Sequence, residues 1–268
     1  MTQSSFSRLK RHQDGKKTLH QITDRAEHAF LIHYSCESFH AKKNGSPRIT
    51  SIAIRNLSSG QTRSFSVYQI AEEMGFLGSI TQNFDGIEKK LLKNYFAFVK
   101  ASPKSIWIHW NMRDVNFGFQ ALEHRASVLG VVPFRIDESR LYDLARILID
   151  IYGKNYIQNP KMESLVDKNK IAKFDFLSGS EEADCFTNHE FRRLHLSTLR
   201  KVDIFESFIS RASEDSLKVD VNYFSVRGLS PSAISESLKN NWLWVLLLTV
   251  IAVIALVSDI HSLIQWFL

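Results

Sequence analysis

The chain has 268 residues, 44% hydrophobic and 23% charged, a balance that excludes an intrinsically disordered protein. Only two cysteines occur, Cys36 and Cys185, far apart, which argues against a disulfide framework or a zinc site and fits a reducing compartment. The formal charge of +6 suits a polyanionic partner, either nucleic acid or an anionic lipid surface.

Residues 1–27 are polar and charged, and are read as a mobile arm or a helix at the domain edge. No apolar stretch follows Arg8, Lys10 and Arg11, so no secretory signal peptide is expected. Ala29 to Tyr34 (AFLIHY) reads as a buried strand. Arg48 to Asn56 alternates in part, and Thr62 to Val67 follows a Ser-Ser-Gly turn, which predicts a three-stranded antiparallel opening. Ile87 to Ala101 repeats apolar residues at helical spacing and is stopped by Pro103. Ser105 to Trp110 (SIWIHW) is the next strand. Asp114 to Leu129 is predicted helical, with Gly130 as its C-cap. A short strand at Phe134 to Ile136, a helix over Ser139 to Tyr152 before Gly153, and helices over Ser180 to Leu194 and Thr198 to Ala212 complete the domain. This order predicts an α/β fold with a mixed sheet flanked by helices.

The last segment is unlike the rest. Trp242 to Val257 (WLWVLLLTVIAVIALV) contains one polar residue, Thr249, and extension through Ile260 approaches the ~20 residues a membrane-spanning helix needs. Trp242, Trp244 and Trp266 stand where interfacial aromatics do. Arg227 and Lys239 precede the segment and no Lys or Arg follows it, which orients the N-terminal domain toward the cytoplasm. A buried core helix is the alternative, but no helices of similar character accompany it. The expected organisation is an arm (1–27), an α/β domain (28–227), a Ser/Pro/Gly-containing linker (228–240) and a single C-terminal transmembrane anchor (241–268).

Three local stretches resemble the acidic motifs of the DEDD-type 3′–5′ exonucleases, a ribonuclease-H-like superfamily. The first strand of that family ends in Asp-x-Glu; here it runs into Ser35-Cys36-Glu37, with Glu37 as the second acid and Ser35 where an Asp would stand. The second motif is matched by His109, Asn111 and Asp114 in IHWNMRD. The stretch FRIDESRLYDLARIL resembles the family's next strand and helix. The third motif matches HLSTLRKVD, with Asp203 as the fourth acid and Thr198 at the place of a catalytic His.

The resemblance implies a ribonuclease-H-like fold and phosphodiester hydrolysis of DNA or RNA by two Mg²⁺ or Mn²⁺ ions about 3.5–4 Å apart, held by oxygen ligands. It makes Glu37, Asp114 and Asp203 metal ligands and catalytic acids, with Ser35 a weak fourth ligand and Thr198 at the general-base position. Serine is neutral and threonine cannot take a water's proton as histidine does, so weakened or absent catalysis is implied. Asp137 or Glu123 are acids that could substitute spatially. Each residue also has a plain structural reading: Glu37 as a solvated carboxylate, Asp114 as a helix cap, Asp203 as an ion-pair partner. His109 and His195 read as packing or hydrogen-bonding residues, and Cys36 as a small buried hydrophobe. Candidate nucleic-acid contacts are Asn111, Arg113, Arg200 and Lys201, with Lys42, Lys43, Arg192 and Arg193 as further basic positions; solvated helix faces are the alternative. Two functions follow: a membrane-tethered exonuclease, or a pseudo-exonuclease serving as a nucleic-acid-binding or protein-scaffold module.

Overall fold

The computed structural model describes residues 5–37, 46–113 and 117–222. Asp114, Lys42, Lys43, the linker and the expected membrane anchor lie outside them. Among the described residues no helix is long and apolar enough to cross a membrane.

Helix α1 (Ser5–Asp24) occupies most of the predicted arm. Its sequence has little amphipathic character, and polar contacts help to fix it. Arg8 donates to the carbonyls of Asp150 and Ile151, and His12 Nδ1 lies 2.8 Å from the Ile151 carbonyl. Those carbonyls belong to the last turn of α5 (Leu144–Tyr152), which has no intrahelical donors left for them. Leu19 and Ile22 of α1 complete the contact in the core.

A mixed five-stranded sheet follows, in the order β3-β2-β1-β4-β5. Strands β1 (Ala29–Cys36), β2 (Ile49–Asn56) and β3 (Thr62–Ser66) form the antiparallel meander expected from the apolar run of β1, the partial alternation of β2 and the Ser-Ser-Gly turn before β3. Strands β4 (Ile106–His109) and β5 (Leu141–Asp143) run parallel to β1. Alternate residues of β1 enter two cores. Leu31, with Ile106 and Ile108, packs against α5 and the long helix α8 (Phe191–Ser213). Ile32 and Tyr34, with Trp107, face α2 (Val67–Glu73), α3 (Phe84–Lys100) and α4 (Phe119–Val128). The chain therefore forms an α/β fold, a mixed five-stranded sheet flanked by helices.

Three element boundaries differ from expectation. Residues 134–136 form no strand; β5 is Leu141–Asp143, inside the stretch read as helix, and Asp143 caps α5 by accepting from the Ala145 N–H. Helix α4 is described from Phe119 rather than from residue 114. The final helices are α7 (Gly179–Thr187) and α8, separated at His189, whose φ of 59° breaks the helix without a glycine or proline. A further helix, α6 (Lys161–Lys168), precedes them.

Candidate functional site

In open α/β sheets, ligand sites gather beyond the carboxyl ends of parallel strands. Two crevices lie there. The larger, about 530 Å³, is lined by His33, Ser35, Glu37, Phe117, Glu182 and Lys201, among others. The smaller, about 300 Å³, lies beyond β4 and β5 and is lined by His109, Arg113, Glu123, Arg135 and Asp143.

Strand β1 places His33 and Ser35 at alternate positions on one face, and Glu37 follows directly after the strand end; all three line the crevice. Ser35 is buried opposite Ser51, just before an irregularity in the β1–β2 ladder. Its Oγ has no hydrogen-bond partner among the described residues, nor has His33 Nδ1. Burial, followed by the charge of Lys201, holds the His33 imidazole well below its usual pKa and therefore neutral. Glu37 ends the ladder: its N–H donates to the Arg48 carbonyl at 2.8 Å, and its Oε2 accepts from the Arg48 N–H at 3.4 Å.

The opposite wall is an ion pair. Lys201 Nζ lies 2.7 Å from Glu182 Oε1, with the lysine side chain only 7% exposed. Ser197 Oγ also donates to Glu182 Oε1, at 2.9 Å, and accepts the Leu177 N–H at 3.2 Å. Lys201, expected to meet nucleic acid, is thus a nearly buried cation inside the crevice. Glu182, which sequence reasoning passed over, is its counter-ion. The only hint was the Ser178–Glu181 capping box, which fixes where α7 begins and so aims the next residue.

Of the third motif, Lys201 lines this crevice, but Thr198 and Asp203 do not. Helix α8 crosses β1 and β2 obliquely from the Ser35 end toward the start of β1. At one end His195 Nδ1 lies 3.0 Å from Ser51 Oγ. Farther along, Asp203 pairs with Arg55 at 3.3 Å and with Arg200 at 3.8 Å. Arg55 is in register with Leu31, four residues before Ser35, so Asp203 is anchored on the order of 13 Å along the strand from Ser35. Its geometry is that of the ion-pair reading. Thr198 is fully buried and donates to the Leu194 carbonyl, so no base is presented there. Arg200 donates twice to the Ala172 carbonyl.

The second motif is a polar cluster centred on Asp143. Arg113 Nε lies 2.5 Å from Asp143 Oδ2, the Asn111 N–H donates to Asp143 Oδ1 at 3.2 Å, and Arg113 Nη2 donates to Asn111 Oδ1 at 2.9 Å. Asn111 takes a left-handed φ of 55° to do this. His109 Nδ1 accepts the Met112 N–H, and burial, partly opposed by Asp143, lowers its pKa to about 4. The chain returns at Phe117, which stacks on Tyr34 at 4.5 Å, and at Gly118, whose N–H donates to the Tyr34 hydroxyl. Arg113 lines one crevice and Phe117 the other. Among the described residues no group of three His, Cys, Asp or Glu side chains is placed to hold a metal ion.

No protein-family model and no curated protein matches the chain. Among solved structures it is similar to the crystal structure of the catalytic domain of Mos1 mariner transposase, at 9% identity over 81% of this chain and 97% of that one. The TM-score of 0.26 leaves the description of the fold to rest on the sheet order itself.

Proposed function

We propose that this is a membrane-tethered ribonuclease-H-like module that binds DNA or RNA and has lost two-metal hydrolysis. One observation carries the reading: the Lys201–Glu182 ion pair fills the wall of the crevice beside Ser35. A pair of divalent ions needs several carboxylates to offset four positive charges. Here Glu37 and Glu182 line the crevice, and the ammonium group neutralises one of them. A divalent ion about 5 Å from that ammonium would meet a repulsion of about 7 kcal/mol at an effective dielectric of 20, before the Glu182 carboxylate offsets part of it. Asp203 is committed to Arg55, and Ser35 brings no charge.

The remaining polar groups suit binding. Ser35 and His33 offer unpartnered buried polar atoms, Lys201 retains donors beyond its bond to Glu182, and Phe117 supplies an aromatic wall. The test uses the full-length chain in detergent with labelled single strands of DNA and of RNA, with and without Mg²⁺ or Mn²⁺. Binding without shortening of the strands is expected. Metal-dependent trimming that disappears in Asp114→Asn would restore the hydrolytic reading, with Mg²⁺ or Mn²⁺ as cofactor. Absence of both binding and trimming would leave a protein scaffold.

A further inference from the structure

Outside the crevice, one aromatic residue is built to face solvent. Phe174 is 66% exposed, yet it sits on the guanidinium of Arg200, with Cζ 4.2 Å from the ring centroid. Arg200 cannot follow the ring freely, because its Nε and Nη2 both donate to the Ala172 carbonyl. The next residue, Asp175, holds a left-handed φ of 60°, a conformation that costs free energy for a residue with a Cβ. Two positions on, Phe176 caps Lys201 at 5.6 Å, and Leu177 is fastened to Ser197. The segment between α6 and α7 is therefore strapped across α8, with Phe174 standing outward over one cation and Phe176 turned inward over its neighbour.

Single exposed apolar side chains are common on protein surfaces, but this ring is held over a fixed cation on a segment with a left-handed residue. The geometry points to Phe174 as a stacking platform for a nucleobase of a single strand whose neighbouring nucleotide occupies the crevice. This rests on the nucleic-acid-binding reading above and names the contact that would extend it. Continuity supports the choice of occupant: Arg200 beneath Phe174 is adjacent in α8 to Lys201, which lines the crevice. A ring already held by a cation on one side loses little freedom when a base stacks on it.

The test compares full-length wild type with Phe174→Ala and Phe174→Trp in detergent. Fluorescence anisotropy is read with a labelled single strand of about a dozen nucleotides and with the same backbone carrying abasic sites. Phe174→Ala should bind the intact strand about tenfold more weakly and the abasic strand as wild type does, and Phe174→Trp should retain full binding. If Phe174→Ala binds the intact strand as wild type does, the platform is overturned while the binding reading stands, and the ring belongs to a protein contact. An equal loss on both strands also overturns it, since stacking needs a base. If wild type binds neither strand, the underlying reading fails and this inference falls with it.

Discussion

Glu88 is fully buried, and the substitution Arg125→Met tests how much the upper part of the domain depends on it. Its carboxylate accepts the Ile49 N–H at 2.6 Å, Arg125 Nε at 2.8 Å and Arg125 Nη2 at 2.5 Å. The Arg125 side chain is itself nearly buried and reaches Asp85 at 3.3 Å. Ile49 opens β2 and pairs with Cys36, so this cluster fixes the strand end that presents Ser35 and Glu37. Removing the guanidinium leaves an uncompensated charge in the core, which costs about 3–5 kcal/mol. For a domain of this size that is a fall in Tm of roughly 6–20 °C. The double variant Glu88→Met/Arg125→Met removes both charges and orphans only the Ile49 N–H, a loss of about 1–3 kcal/mol. Burial already raises the Glu88 carboxyl above its usual range, and losing Arg125 raises it further. An acid whose folded-state pKa exceeds its unfolded value stabilises the protonated fold. The deficit of Arg125→Met should therefore shrink as pH falls and grow as pH rises through the folded value. Urea unfolding followed by circular dichroism at several pH values measures this. A single variant that loses under about 1 kcal/mol, or a double variant no better than the single, would refute the argument.

Two other perturbations have signs fixed by the structure. His109 and His195 are both held neutral, with pKa lowered to about 4 mainly by burial. The unfolded chain binds their protons near pH 6.5, so stability should fall as pH drops from 6.5 toward 4, by about 2–3 kcal/mol per histidine at pH 4.5. A flat profile in urea titrations, or an unchanged slope in His195→Gln, would contradict this. Gly15 sits mid-helix where α1 crosses α5, and a Cβ there would lie 2.9 Å from Ile151 Cγ1 and 3.0 Å from the Ile151 backbone nitrogen. Helix propensity favours Gly15→Ala by about 1 kcal/mol, while the clash costs about 1–3 kcal/mol. A net loss is expected in denaturant unfolding, and a gain would show that the helices separate easily.

The antiparallel half of the sheet was legible because β1 is a short apolar run, β2 alternates in part and a turn signal separates β2 from β3. The parallel half was harder. Strand β5 is three residues long, too short for any period, and the helical pattern of Leu144–Tyr152 runs backward over it without a break. The division between α7 and α8 rests on His189 in a left-handed turn, and nothing in its residue type announces that. The site divides in the same way. Ser35 and Glu37 could be placed because a strand end fixes its own neighbours. Asp203 could not, because spacing within a helix does not tell which end of that helix lies over β1. Asp143 was visible within the Tyr-Asp-Leu-Ala-Arg stretch but not as the partner of Arg113, a contact made only by parallel pairing of β4 with β5.

Charge accounting in the larger crevice relates the serine at position 35 to the buried Lys201–Glu182 pair. An aspartate at position 35 would face into the same space as Lys201 and would compete with Glu182 for that ammonium. With serine there, one negative charge is gone and Lys201 is balanced by Glu182 alone, at 2.7 Å and nearly out of water. A buried lysine survives only with such a partner, since desolvation of an unpaired ammonium costs several kcal/mol. The neutral state of His33 follows from the same environment, as the lysine's charge adds to burial in opposing a second positive charge two residues from Ser35. The crevice therefore carries its own fixed cation, balanced by Glu182 and adjoined by the neutral His33. On the binding reading proposed above, a ligand would complete the hydrogen bonding of Ser35 Oγ and His33 Nδ1, which are buried without a partner among the described residues.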